Sequence, residues 1–230
     1  MELKRNTLAS LVLTASALSL SAHAADSFNI NVTGVISPAA CEANITGGET
    51  IDYGTIPANT LTADAVTVLP AKQTAFTITC DAPAKLGFRT VDNRAASKIT
   101  SDESIKFDWG TTWSTLFTNG LGFDGQGNNI GGWAAEISAM SSDTISALEK
   151  ITSTDGGATW KKTSPLANIL FIDRPGYVFT ISEPGSVVPA AFSTLTGTLN
   201  IQAIIKPAST LDLSQPVTLD GSVTVEMVYL

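Results

Sequence analysis

The chain has 230 residues, a formal net charge of −8 and only 15% charged residues. Its lysines and arginines are scattered, which disfavours binding to nucleic acid or to an anionic membrane. The only histidine, His23, lies in a predicted signal sequence, so we expect a mature chain without Ser-His-Asp catalysis and without histidine-ligated metal.

Residues 1–24 are predicted to form a secretory signal peptide. Lys4 and Arg5 provide the charged start, residues 11–20 form an apolar run, and an Ala-His-Ala cleavage box follows. The alternative, a membrane anchor, is less favoured because the run is about half of the ~20 residues that a spanning helix needs. We therefore expect an exported chain that begins near Ala25.

The chain contains two cysteines, Cys41 and Cys80. In an exported protein an even pair predicts one disulfide, here closing a loop of about 40 residues. The alternatives are a metal site or a reactive thiol, but a two-cysteine metal site would need histidine partners. We therefore expect a disulfide, no metal and no cofactor.

Alternating apolar and polar residues recur along the chain between turn signals, and no amphipathic helix longer than two turns is evident. Many short strands of this kind predict a single all-β domain, either a sandwich or a barrel. Residues 144–151 fit a strand or a short helix. The predicted strands are residues 28–36, 51–56, 73–80, 86–91, 133–140, 177–181, 193–205 and 222–229.

The first of these strands raises a question about its partner. Phe28, Ile30 and Val32 alternate with polar residues, and Gly34 and Ile36 continue the same parity. This pattern indicates a strand with one buried face. The strand could pair within its own domain or with another chain.

Four features occur in a fixed order. An alternating strand ends shortly before Cys41, a short strand with a glycine follows at residues 51–54, a strand ends at Cys80, and the last strand has a penultimate aromatic, Tyr229. In this order, and behind a signal peptide, they resemble subunits of chaperone–usher pili. The resemblance covers residues 25–91 and 193–230.

The central region is longer and richer in tryptophan than in ordinary major pilins. Phe117, the Gly-Leu-Gly stretch at residues 120–122 and the Gly-Gly-Trp stretch at residues 131–133 are similar to the β-fimbriae probable major-subunit group. The resemblance therefore implies a pilin domain with an enlarged central region.

The resemblance implies an incomplete immunoglobulin-like sandwich, the pilin fold, at residues 39–230, preceded by a donor-strand extension at residues 25–38. Its partners would be a periplasmic pilus chaperone, an outer-membrane usher and neighbouring pilus subunits. Such a non-enzymatic subunit would pass through the periplasm to the cell surface and support adhesion as part of a fimbrium. The implied donor residues are Phe28, Ile30, Val32, Gly34 and Ile36, and the implied groove edge that a chaperone recognises is Gly221, Val223, Val225, Met227 and Tyr229.

The alternative function is a secreted or periplasmic carbohydrate-binding β-sandwich. Trp109, Trp113 and Trp133 would stack on the sugar rings of a host or surface glycan if they are exposed on polar loops. The two functions can coexist in one subunit.

Residues 153–160 fit the Asp-box hairpin of sialidases, S-x-D-x-G-x-T-W. A glycosidase is not favoured, because a propeller needs several sheet blades that a chain of this length does not supply. A β-hairpin with a packed tryptophan is the preferred interpretation. The spacing of Asp102, Glu103, Asp108 and Asp124 singles out no catalytic pair, and residues 124–129 fit a polar turn better than a calcium loop.

Overall fold

The computed structural model describes residues 30–35, 39–163 and 169–230. The predicted signal peptide, the donor residues Phe28 and Ile36, and the proline at position 38 lie outside the described residues. Within those ranges the regular structure is β-strand with short 3-10 turns and no α-helix, and no helix there is long and apolar enough to cross a membrane.

Thirteen strands lie in the described part of the chain. They are β1 (Cys41–Ile45), β2 (Thr67–Val68), β3 (Lys72–Asp92), β4 (Ser104–Lys106), β5 (Thr112–Ser114), β6 (Asn119–Gly120), β7 (Gly131–Ser142), β8 (Glu149–Ser153), β9 (Lys161–Lys162), β10 (Ile169–Leu170), β11 (Val178–Ser182), β12 (Ala191–Ile205) and β13 (Val223–Tyr229). The 3-10 turns are Ala58–Thr60, Ala95–Ser97, Thr115–Phe117 and Ala208–Thr210.

The strands form one curled, antiparallel sheet. Its main path is β10–β7–β12–β3–β11–β8–β9, with β1 and β13 attached to β3, β2 attached to β12 and β6 attached to β7. Strands β4 and β5 form a separate hairpin. The predicted all-β, sandwich-like fold is therefore confirmed.

Strand β3 is the element around which the sheet curls. Its first part pairs with β1 and β12, and its second part pairs with β13 and, at Phe88, with β11. The sequence predicted two strands here, which was wrong. Pro83 has no N–H to give to a ladder, and pairing with β12 is interrupted between Thr79 and Ala84. The chain nevertheless stays extended as it passes from one half of the sandwich to the other.

The predicted strand at residues 51–56 was also wrong. The carboxylate of Asp52 accepts a hydrogen bond from the Gly54 N–H at 2.7 Å, and Gly54 has a positive φ of 65°. The Tyr53 hydroxyl accepts from the Ala203 N–H at 3.1 Å and donates to the Ile201 carbonyl at 3.4 Å. This side chain therefore bonds to the backbone of β12 at Ile201, the last residue that pairs with β3, and just beyond it at Ala203. Burial raises the pKa of Tyr53.

The central and C-terminal predictions correspond closely to strands. The predicted strand at residues 133–140 lies within β7, the one at residues 177–181 overlaps β11, and the last two predicted strands are β12 and β13. The ambiguous segment at residues 144–151 contributes only the start of β8.

Residues 30–35, in contrast, are assigned no strand. Their apolar side chains are exposed, including Ile30, Val32 and Val35. The alternation in the sequence therefore does not produce a paired strand in the described part of this isolated chain.

Candidate functional site

A groove of about 720 Å³ runs along the domain between β1 and β13. One side is formed by β1 and residues 49–53, and the other by residues 219–225 and Met227. Among the described strands, β1 and β13 each pair with β3 alone. Each therefore has a second edge whose backbone N–H and C=O groups have no strand partner.

The floor of the groove is the main hydrophobic core of the sandwich. Aromatic and aliphatic side chains from β3, β7, β11 and β12 form both the floor and the largest buried cluster. A space of this kind exposes core to the outside and leaves room for a further apolar element. The shared residues include Phe76, Ile78, Phe88, Ala135, Ile137, Phe171, Phe179, Leu195, Leu199 and Ile201.

The last strand forms one wall with the parity that the sequence predicted. Gly221, Val223, Val225 and Met227 line the groove. Tyr229 has the same parity, but it lies beyond the lining residues and is 51% exposed. The structure therefore brings together four of the five residues proposed for this edge.

Cross-strand contacts between side chains of β13 and side chains of β3 and the loop after it hold that wall in place. Arg89 on β3 forms an ion pair with Glu226, and the Asn93 side-chain amide donates to the Thr224 hydroxyl at 3.1 Å. Glu226 does not line the groove, whereas Thr224 lines it beside the apolar residues, so this wall has polar as well as apolar groups.

The disulfide between Cys41 and Cys80 holds the opposite wall of the groove. The prediction of this bond is confirmed. The two cysteines are direct partners in the β1–β3 register, with Cα atoms 4.0 Å apart. Sequence reasoning missed that Ala43, Ile45 and Ile51 would form this second wall. The signal was short but present, because Cys41, Ala43 and Ile45 alternate with polar residues over the five positions of β1.

Trp133 packs at one end of the groove. Its indole N–H donates to the Gly120 carbonyl at 3.1 Å, and a Cβ at Gly221 would lie 2.5 Å from the indole nitrogen. Gly221 is therefore needed for the close approach of the chain that enters β13. Trp133 is half-buried on a strand rather than exposed on a polar loop.

The other two tryptophans proposed as glycan contacts lie on the far face of β7. Trp109 and Trp113 pack against the cluster that contains Ala134, the neighbour of Trp133 on that strand. Both indole N–H groups donate to the Thr111 hydroxyl, at 2.7 and 2.8 Å. The structure therefore does not bring the three tryptophans together in one site.

The Asp-box sequence forms the hairpin between β8 and β9. The Ser153 hydroxyl donates to the Asp155 carboxylate at 2.6 Å, and the same carboxylate accepts from the Thr159 N–H at 2.9 Å and from its hydroxyl at 2.5 Å. These bonds lower the pKa of Asp155. The motif thus shapes a turn, as the preferred interpretation had it.

Asp124 has the same role in the loop between β6 and β7. Its carboxylate accepts from the N–H groups of Gln126, Asn128 and Asp212 at 2.8–2.9 Å, and these bonds lower its pKa. The structure confirms the polar turn that the sequence predicted at residues 124–129. No cluster of three or more metal-ligating side chains occurs in the residues that the structure describes.

The carboxylates of Asp124 and Asp155 predict how the stability of the fold depends on pH. A carboxyl group whose pKa is depressed in the folded state stabilises the fold above its unfolded pKa of about 4, and this stabilisation is lost as the pH falls toward the folded pKa. We expect the urea midpoint to be nearly constant from about pH 7 to pH 5 and to fall below about pH 4. Asp124→Asn and Asp155→Asn should each lower the midpoint at neutral pH and flatten the decrease in acid. A wild-type midpoint that is unchanged at about pH 3 would contradict this.

The fold and groove together define a class: an all-β, sandwich-like domain whose core is open along one side. A family model described as "Protein of unknown function (DUF1120)" matches residues 30–134. The chain is also 28% identical over 253 residues to "Protein GltF" of Escherichia coli (strain K12), which spans 99% of this chain and 98% of that protein. It is 25% identical over 242 residues to "Uncharacterized protein YhcF" of the same organism, spanning 98% and 100%. No solved structure matches the chain significantly.

Proposed function

We propose that this protein is a non-enzymatic structural subunit of a chaperone–usher fimbria that polymerises by donor-strand exchange. The observation that carries this proposal is the groove between β1 and β13, which exposes the core between two unpaired strand edges. An extended segment inserted there gains a backbone ladder from the edges and apolar burial from the floor.

Residues 28–36 have the composition that this groove requires. A nine-residue strand extends over about 30 Å, and its alternate residues Phe28, Ile30, Val32 and Ile36 are apolar. Burying four such side chains stabilises a joint by at most ~6–12 kcal/mol from transfer alone. In the described residues 30–35 of this chain the apolar side chains remain exposed, which supports a role for this segment in another copy of the domain.

Before assembly, an open groove is an aggregation hazard. We propose that a periplasmic chaperone covers it by lending a strand, that an outer-membrane usher directs the exchange, and that the N-terminal extension of a neighbouring subunit replaces the chaperone strand. The protein would then be exported through the periplasm and displayed on the cell surface in a fimbrium, where it supports adhesion.

The decisive experiment compares the mature chain with a form that lacks residues 25–37. We expect the mature chain to form oligomers by light scattering. The shortened form should remain monomeric, and it should bind a synthetic peptide of residues 26–37 with a measurable increase in thermal stability. The matched control is the same peptide carrying Val32→Asp, which should not bind because it places a charge on the groove floor. If both chains are equally monomeric and stable, and neither responds to the peptide, the proposal is wrong.

A further inference from the structure

A second cavity, of about 590 Å³, lies where three loops of the domain meet. The loops are those after β3, between β6 and β7, and before β13, and they contribute Arg94, Phe123 and Asp220 to the lining. The volume falls within the roughly 300–1,000 Å³ that small-molecule sites have. The sequence predicted a polar turn at residues 124–129, two of which line this cavity, but no motif indicated the cavity itself.

Buried and half-buried hydrogen bonds hold the three loops in position. The Asp92 carboxylate accepts from the N–H groups of Arg94 and Gly120, both at 2.8 Å. The Ser97 hydroxyl accepts from the Gly122 N–H at 2.9 Å, and the Asp220 N–H donates to the Leu121 carbonyl at 3.0 Å. The cavity walls are thus fixed before any ligand arrives, which lowers the entropic cost of binding.

Two of the three charged groups that line the cavity, Arg94 and Asp220, neutralise each other, and the third is Asp124. Arg94 donates from Nε and Nη2 to the two carboxylate oxygens of Asp220, at 2.7 and 2.9 Å. The nearby Asp124 carboxylate is occupied by loop N–H groups. A lone arginine would select an anion and a lone aspartate a cation, whereas this pair favours neither.

The same pair still has hydrogen-bonding capacity. A guanidinium has five N–H donors and a carboxylate about four acceptor sites. The two bonds between Arg94 and Asp220, and a third from Arg94 to the Asn93 carbonyl at 3.2 Å, use only part of them. The two side chains are 39% and 56% exposed, so ligand groups can reach them. Adjacent donors and acceptors match hydroxyl groups, each of which both donates and accepts.

Phe123 adds an apolar surface to this polar cavity. It lies in the loop that Asp124 holds, forms an isolated bridge with Asn129, and is 47% exposed. A large aromatic side chain that a rigid loop keeps exposed offers a flat face for the C–H face of a ring. An aromatic face beside paired donors and acceptors suits a ligand that has both an apolar ring face and hydroxyl groups.

We propose that this cavity is a binding site for a neutral saccharide, with Phe123 as the stacking platform and the Arg94–Asp220 pair as the group that bonds the hydroxyls. The inference goes beyond the proposed assembly function and does not depend on it. It places saccharide binding at these three loops and away from Trp109, Trp113 and Trp133.

The test is an array of neutral and anionic mono- and oligosaccharides probed with the mature chain, followed by titration of the best neutral sugar. We expect neutral sugars to bind with little sensitivity to salt, since no net charge is recognised. Phe123→Ala should weaken the binding by about tenfold, and Phe123→Tyr should retain it.

Two control variants separate this site from the tryptophan site. Phe117→Ala removes an aromatic of similar exposure (38%) that contacts Trp113, and it should leave sugar binding unchanged. The double variant Trp109→Ala, Trp113→Ala should also retain binding, provided that circular dichroism shows it folded. The proposal is overturned if no neutral sugar binds, if only sialylated or sulfated sugars bind, or if Phe123→Ala leaves sugar binding unchanged.

Discussion

We expect a variant with a second copy of residues 26–37 after Leu230, joined by a short flexible linker, to be monomeric. Its melting temperature should be about 10 °C higher than that of the form that lacks residues 25–37. The added segment follows β13 directly and can turn back along its free edge as a hairpin. The linker keeps the segment at a high effective concentration, so binding becomes intramolecular.

The expected rise in melting temperature follows from free-energy contributions of opposite sign. Apolar transfer contributes up to ~6–12 kcal/mol, and each backbone hydrogen bond adds about 0.5–1.5 kcal/mol. Ordering nine residues costs on the order of 1–2 kcal/mol each. A net gain of a few kcal/mol remains, and each kcal/mol raises the melting temperature of a domain of this size by about 2–4 °C.

Differential scanning calorimetry measures this effect, with a matched extension that carries Ile30→Asp and Val32→Asp in the added copy as control. The control should melt with the form that has no added segment. Equal melting temperatures for the apolar and charged extensions would show that the groove does not accept this segment, and the proposed assembly mechanism would then fail.

The second large effect is expected from the disulfide. Cys41→Ala together with Cys80→Ala should lower the free energy of unfolding by roughly 4 kcal/mol, because the bond closes a loop with a sequence separation of 39 residues. This loss of stability should exceed the loss caused by other substitutions on β1, since this strand pairs with β3 alone in the described structure. Urea unfolding monitored by tryptophan fluorescence gives the value.

Reduction provides an independent control. The wild-type protein in dithiothreitol should approach the stability of the double variant, and the double variant should not respond to the reductant. The variant should also bind the peptide of residues 26–37 more weakly, because β1 is then held by hydrogen bonds alone. A loss below about 1 kcal/mol would mean that the unfolded chain is not constrained by this bond.

The sequence was sufficient to predict the fold class, the disulfide and the last strand, β13. Each depends on a local pattern, because a strand with one apolar face alternates with period two and an exported pair of cysteines forms one bond. Val223, Val225 and Met227, which share one parity of β13, all line the groove.

The remaining features depend on contacts between distant segments. Whether Pro83 ends a strand or lies within one depends on what pairs on either side of it. Tyr53 alternates as a strand residue does, yet its hydroxyl accepts a hydrogen bond from Ala203 of β12, which is 150 positions away in the sequence. The cavity at Arg94, Phe123 and Asp220 requires three loops to meet, and no local pattern encodes that.

Strand β3 has a mechanical consequence in a fibre built by the proposed exchange. Both groove edges hydrogen-bond to this one 21-residue strand. A tensile load that a neighbour applies to the edges therefore passes into β3 along its length, so the ladders are sheared together rather than opened one bond at a time. The disulfide adds a covalent tie between β1 and β3, so under traction the β1 edge stays attached to β3 even when the hydrogen bonds between them break.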